Sequence, residues 1–335
     1  MWGMVRIGVI GDGAMGTLCG CMLAEGGAEV VLWSAFEDHV REMEKQGENR
    51  RFLPGRRLPA NLKVTAEAAE LPRDAAFVVS AVPAQYLRQV MKRLASQLPP
   101  APLVSVTKGI ENETLLRPSE IIIDVLGRRT VGVLSGPCIA HEIALKLPAT
   151  VVAASEDEAL SSAVQSAIST PYFRVYRNSD RIGVELAGAL KNVIAVAAGM
   201  CDGLGLGDNA KAALLTRGLA EITRLGAALG ARRATFAGLA GMGDLATTCF
   251  SPHSRNRTLG EAIGRGRTLK EVLAGMEQVA EGVATTRSAA ALAARSGVEM
   301  PITQEVQAVL FEGKSPRQGM VDLMKRPWKS EEEDN

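Results

Sequence analysis

A short apolar run at residues 5–10 passes directly into Gly11-Asp12-Gly13-Ala14-Met15-Gly16, and a helical pattern at 15–25 and a second β-branched run at 29–33 follow. Few folds accommodate this order. GxGxxG between a strand and a helix is the dinucleotide-binding turn of a parallel βαβ unit. Gly11 permits the tight turn, Gly13 lets backbone approach a pyrophosphate, and Gly16 lets the helix pack close to the strand. The helix start supplies N–H groups and the positive end of a dipole to the phosphates. The second run ends Trp33-Ser34-Ala35-Phe36, with Glu37 and Asp38 later than an acid that selects a free ribose hydroxyl and no arginine to favour a 2′-phosphate. The choice between NAD and NADP therefore stays open.

The same alternation continues through the first half. Strand-like runs at 76–82, 103–107, 131–134, 150–154 and 173–176 are interleaved with helical patterns such as 84–97 and 157–168. This predicts a mainly parallel sheet covered on both faces. After Asn178-Ser179-Asp180 the pattern becomes Ala- and Leu-rich helix broken by glycine turns. The expected fold class is α/β, a Rossmann-type mainly parallel sheet followed by an all-α C-terminal domain. The predicted divisions are 1–180, 181–328 and a solvated acidic tail at 329–335.

Composition narrows function by exclusion. A formal charge of +1 gives no general attraction to nucleic acid or to anionic membrane, and 4% aromatic residues are too sparse for base-stacking platforms. Cys19, Cys21, Cys138, Cys201 and Cys249 have no zinc-site spacing, so no metal is expected and a reducing cytoplasm is the natural compartment. The chain enters its first strand with no room for a signal peptide.

Residues 182–200 read IGVELAGALKNVIAVAAGM, in which Lys191 and Asn192 interrupt small apolar neighbours. Glu185, Lys191 and Asn192 argue against a membrane span. An enclosed ammonium costs several kcal/mol, order of magnitude, unless it is paired or loses its proton. A structural ion pair or a snorkelling stem would explain it without chemistry. Other segments favour chemistry. Lys108 follows a predicted strand where ligands of such sheets bind, and Leu134-Ser135-Gly136-Pro137-Cys138 forms another strand end and turn. Ser254 is placed to cap a helix whose first turn holds Arg255 and Asn256, an arrangement suited equally to an anion or to a plain capped helix. The expected cluster is Lys108, Lys191 and Arg255, with Asp244 as counter-charge. Neighbouring ammonium groups depress one another's pKa, and His39, His141 and His253 have no comparable setting, so a lysine acid/base is expected.

GDGAMG at 11–16, SVTKGI at 105–110, LSGP at 134–137, the block 185–221, FAGLAGMGDLATTC at 236–249, SRNR at 254–257 and VAEGV at 279–283 together resemble the bacterial-type NAD(P)-dependent sn-glycerol-3-phosphate dehydrogenases. The similarity spans nearly the whole chain. It implies interconversion of sn-glycerol 3-phosphate and dihydroxyacetone phosphate, supplying glycerol phosphate for phospholipid synthesis. By motif it implies Lys191 as general acid/base, with Lys108 and Asp244 as active-site partners. Substrate positions would be Lys108, Gly136, Cys138, Lys191, Asn192, Asp244, Thr248, Ser254, Arg255 and Asn256. Cofactor positions would be Gly11, Gly13, Ala14, Met15, Gly16, Lys108, Ala140, Arg255, Val279 and Glu281. Cys138 stands where relatives commonly have Ser or Thr and hydrogen-bonds more weakly, and Ala35 lacks a basic side chain often found there.

The expected partner is a small phosphorylated substrate, not nucleic acid or a membrane. A homodimer is compatible with the sequence, although no exposed apolar helix face identifies one. Two other classes remain: a lysine-dependent Rossmann dehydrogenase acting on a hydroxyacid, and a non-catalytic dinucleotide sensor. The sensor has no need of Lys108, Lys191 and Asp244 together.

Overall fold

The structure, a computed structural model, describes residues 5–276, 279–328, 330 and 331. Most of the expected acidic tail at 329–335 lies outside them. Two compact units divide the chain: Met1–Thr107 with Pro118–Arg181, and Lys108–Arg117 with Ile182–Asn335. Where the sequence reading kept 108–117 inside the first domain, the structure groups this segment with the helical unit. Its side chains and backbone bond there, through Lys108 to Asp244, Asn192 to the Lys108 carbonyl, Arg117 to Glu185 and Ser288 to the Ile110 carbonyl.

The first unit is built on eight strands: β1 (Arg6–Ile10), β2 (Glu29–Trp33), β3 (Leu62–Thr65), β4 (Phe77–Ser80), β5 (Leu103–Ser105), β6 (Val131–Ser135), β7 (Ala149–Ala154) and β8 (Phe173–Asn178). Their order is β3-β2-β1-β4-β5-β6-β7-β8, and among the described residues β6–β7 is the one antiparallel strand pair. The central strands are enclosed on both faces, which is why β4 reads FVVS and β6 VGVLS without polar alternation. Strand β3, LKVT, was not anticipated. It has four residues and carries an exposed lysine, so little in its sequence announces it.

Among the described residues, six α-helices accompany the sheet: α1 (Ala14–Glu25), α2 (Glu37–Gln46), α3 (Ala84–Leu94), α4 (Pro118–Leu126), α5 (Ala140–Ala144) and α6 (Glu158–Ile168). The core of this unit runs from Ile7, Val9, Leu18 and Met22 through Phe77 and Val104 to Phe173. The direction of strand order reverses at β1, between β2 and β4, so the glycine turn at the carboxyl end of β1 stands at the switch point where such sheets bind ligands.

The second unit contains α7 (Arg181–Leu204), α8 (Gly207–Ala228), α9 (Arg233–Phe236), α10 (Asp244–Phe250), α11 (Arg255–Gly264), α12 (Leu269–Ala274), α13 (Glu281–Ser296), α14 (Pro301–Phe311) and α15 (Pro316–Met324), with a π-helical turn at Leu239–Gly243. By length and composition α7 could cross a membrane, yet its apolar stretch is almost wholly buried. It forms the axis of a core that also takes in Ile222, Leu225, Phe236, Leu245, Leu259 and Leu292. Glycines allow α11 to lie directly against α7. A Cβ at Gly199 would fall 2.0 Å from the Arg257 carbonyl, and one at Gly260 the same distance from that of Val196. Gly203 and Gly264 continue this close approach.

Candidate active site

In the helical unit the two lysines converge on one carboxylate. Lys191 Nζ donates to Asp244 Oδ1 at 2.6 Å, and Lys108 Nζ donates to Asp244 Oδ2 at 2.5 Å. Lys191 also donates to the Thr248 hydroxyl, which in turn donates to the Asp244 carbonyl at 2.6 Å. The Lys191 and Asp244 side chains are 6% and 3% exposed, against 18% for Lys108, so Lys108 holds the ammonium nearer to water. Burial alone would raise the Asp244 carboxyl, but Lys108 and Lys191 outweigh it and hold the pKa below the ordinary value.

Local structure explains the placement. Lys191 lies midway along α7, where its neighbours are buried all round. Asp244 opens α10 immediately after the π-helical turn, whose Gly241 is pressed so close to the Phe236 carbonyl that a Cβ would come within 2.0 Å of it. Thr248 follows one helical turn later and therefore shares the Asp244 face. Lys108 is held through its own carbonyl, which accepts from Asn192 Nδ2 at 3.0 Å. Further along the segment, Arg117 pairs with buried Glu185 of α7 at 2.8 Å.

A second polar chain runs from the same helix. Asn256 Nδ2 donates to Asn192 Oδ1 at 2.9 Å, and Asn256 Oδ1 accepts from the Gly282 N–H at 2.9 Å. This joins α7, α11 and the start of α13. Ser254 caps α11, accepting from the Arg257 N–H. Arg255, in the first turn, is exposed and among the described residues makes no hydrogen bond or ion pair. Surrounding atoms nevertheless desolvate it enough to lower its pKa, with Glu281 opposing. Asp244 thus gathers Lys108 and Lys191, and the carboxylate whose charge acts on Arg255 is that of Glu281. Four non-helical residues, Ser251 to Ser254, separate the end of α10 from the first residue of α11. Val279 is exposed just before α13.

In the sheet unit, the three glycines of the turn answer three different demands. Gly11 has φ +103°, and a Cβ at Gly16 would lie 1.9 Å from the Gly11 carbonyl. A Cβ at Gly13 would meet nothing within 4 Å, so the space before α1 is open. Asn49 Nδ2 braces the turn, reaching the Asp12 carbonyl at 2.6 Å and Thr17 Oγ1 at 2.7 Å. An open cradle at a helix start, with backbone N–H groups facing it, fits a dinucleotide pyrophosphate. Ala14 and Met15 form the first turn of α1, and Ala140 begins α5. Gly136 has φ +134° and would push a Cβ to 3.0 Å from Val151 Cα, so turn geometry by itself requires glycine there. Cys138 is half-buried against the core of this unit.

Sequence reasoning missed several supporting groups. Asn49 had no motif around it. Glu185 was noted as polar in an apolar helix, a usable signal, but its partner Arg117 is 68 residues away. The arginine sought after β2 is also absent there, yet Arg51 reaches His39, whose Nδ1 lies 3.1 Å from Asp12 Oδ2.

A glycine cradle at the switch point of a doubly wound sheet, in a chain whose helical unit clamps two lysines on one buried aspartate, defines a two-unit dinucleotide-dependent oxidoreductase. Comparison with known proteins makes this specific. The profile of the NAD-dependent glycerol-3-phosphate dehydrogenase N-terminus matches residues 6–161, and that of its C-terminus matches residues 180–321. The chain belongs to the NAD-dependent glycerol-3-phosphate dehydrogenase family. A protein of Citrifermentans bemidjiense named glycerol-3-phosphate dehydrogenase (NAD(P)+) is 51% identical over 330 residues, covering 97% of this chain and 98% of its own. One of Geobacter sulfurreducens with the same name is also 51% identical, with the same coverage. The crystal structure of glycerol-3-phosphate dehydrogenase from Coxiella burnetii superposes with a TM-score of 0.92 at 38% identity, covering 96% of this chain and 99% of that one.

Proposed function

We propose that this chain interconverts sn-glycerol 3-phosphate and dihydroxyacetone phosphate with NAD or NADP, and that Lys191 is its general acid/base. The observation that carries this reading is the Lys191–Asp244–Lys108 cluster, a buried carboxylate flanked by two ammonium groups in a chain of this family. When bound, the nicotinamide supplies or accepts the hydride equivalent. The glycine cradle of the sheet unit would hold its pyrophosphate, with Ala14 and Met15 at the helix start.

In the reductive direction Lys191 donates a hydrogen bond to the carbonyl oxygen of dihydroxyacetone phosphate and then transfers its proton there as negative charge develops. Lys108 adds a second positive charge to the same oxygen. Asp244 stays ionised between them and fixes both amines, while Thr248 sets the direction of the Lys191 bond. Arg255 and the first-turn N–H groups of α11 take the phosphate, so binding energy far from the reacting carbon orients it. Asn192 and Asn256 hold that helix start to α7. Gly136 and Cys138, with Ala140, Val279 and Glu281 on the cofactor side, complete the proposed contacts. Five free thiols support a reducing, cytoplasmic location, and the product would serve phospholipid synthesis.

The test is a spectrophotometric assay of dihydroxyacetone phosphate reduction with NADH and with NADPH, run on the wild type and on Lys191→Met. The variant should bind cofactor normally and lose turnover by at least ~10²-fold, the lower range of a general acid's contribution. Near-wild-type turnover in Lys191→Met removes that role. Turnover of hydroxyacids in place of the phosphorylated ketone rejects the substrate.

A further inference from the structure

Outside the cluster, the helical unit encloses a second lysine system. Lys211 of α8 is 9% exposed in its side chain, and Nζ donates to both oxygens of Asp202 at 2.9 and 2.8 Å. Asp202 Oδ2 also accepts from Arg257 Nε at 2.8 Å, and Arg257 pairs with Glu261 at 3.3 Å. The Lys211 ammonium lies 4.8 Å from the centroid of the Phe250 ring, at the end of α10. One buried cation thus touches or reaches α7, α10 and α11, the helices that carry Lys191 with Asn192, Asp244 with Thr248, and Arg255 with Asn256.

Helix stability does not account for this arrangement. Asp202 occupies the last turn of α7, where the helix dipole disfavours an anion. Burying an ion pair generally adds little stability over well-packed apolar residues. The pair does have a geometric effect at the start of α11. Of the two arginines in Ser254-Arg255-Asn256-Arg257, Arg257 is neutralised by Asp202 and Glu261 and turned toward α7, while Arg255 makes no ion pair among the described residues. The glycine contacts at Gly199 and Gly260 fix the distance between α7 and α11. The Asp202–Arg257 bond fixes the rotation of the α11 start, and Lys211 fixes Asp202.

We infer that Lys211, acting through Asp202 and Arg257, is a positioning residue that sets the orientation of Arg255 and the α11 start for the phosphate of the substrate. This rests on the function proposed above. It assigns Lys211 no contact with the substrate.

The experiment is a double-mutant cycle of Lys211→Met with Arg255→Ala, read as KM for dihydroxyacetone phosphate, KM for the nicotinamide cofactor and kcat. Lys211→Met alone should raise KM for the phosphorylated ketone about tenfold, with kcat and cofactor KM changed by less than about threefold, since uniform binding and not the chemical step is lost. In the Arg255→Ala background the same substitution should have almost no further effect, because both changes act on one contact. Inhibition by inorganic phosphate should weaken in parallel. An equal penalty in both backgrounds, an effect on kcat and cofactor KM alike, or no effect overturns the inference. If Lys211→Met does not fold, the near-isosteric Asp202→Asn is read in the same cycle. Absence of dihydroxyacetone phosphate turnover in the wild type sinks the proposed function instead, and inorganic phosphate binding to wild type and Lys211→Met then decides the inference by itself.

Discussion

Asp244 supports two cations with one carboxylate, and its energetics can be read through pH. Its pKa in the folded chain lies below the ordinary aspartate value of 3.8 because Lys108 and Lys191 outweigh the burial penalty. A carboxyl depressed on folding stabilises the fold when ionised. That contribution is complete above the ordinary aspartate range and is lost as pH falls through the folded-state pKa. Asp244→Asn leaves Lys191 enclosed without its counter-charge, so it should reduce unfolding free energy at neutral pH by about 3 kcal/mol. Denaturant unfolding of both proteins between pH 7 and pH 3 checks this: the gap should narrow toward the acid end. A gap independent of pH would mean that Asp244 stabilises by packing rather than by charge.

At the scale of elements, the close approach of α7 and α11 is the main structural device of the helical unit. Leucine-sized residues would separate the two axes, whereas Gly199, Gly203, Gly260 and Gly264 let backbone lie on backbone. Gly260→Ala places a methyl 2.0 Å from the Val196 carbonyl and should cost ~3 kcal/mol, the upper end of overpacking penalties. Thermal melting measures that cost, and KM for the phosphorylated substrate should rise with it, since α11 carries Arg255. A variant with an unchanged melting temperature would show that the two helices can separate freely.

For the whole molecule, the two units keep separate cores. On the proposed function, a change confined to the glycine turn should alter cofactor affinity and leave the lysine cluster in place. Gly13→Ala adds a methyl where nothing lies within 4 Å, at an extended backbone position that alanine adopts without strain, so the melting temperature should stay within about 2 °C. Cofactor KM should nonetheless rise at least about tenfold, because the methyl occupies the space that a pyrophosphate needs. Unchanged cofactor KM would take the open cradle out of the binding site.

The linear sequence determined the parts whose causes are local. The turn at 11–16 declares itself because a tight turn, a close approach and a close packing each require glycine at a fixed spacing. Alternating strands and helices declare the sheet through hydrophobic period, and Ser254 declares a helix start because a hydroxyl must satisfy an N–H there. Lys191 was conspicuous from its neighbours alone. Only the tertiary structure decided which charges meet. Lys108 and Asp244 are 136 residues apart, Arg117 and Glu185 are 68 apart, and neither separation has a periodicity to betray it. The same holds for Lys211, which in sequence is one more basic residue on an amphipathic helix and in space is the partner of Asp202. It holds again for β3, whose four residues become a strand only because β2 presents an open edge to pair with. Period and turn chemistry act over a few residues, whereas ion pairing and helix contact depend on where the chain returns to itself.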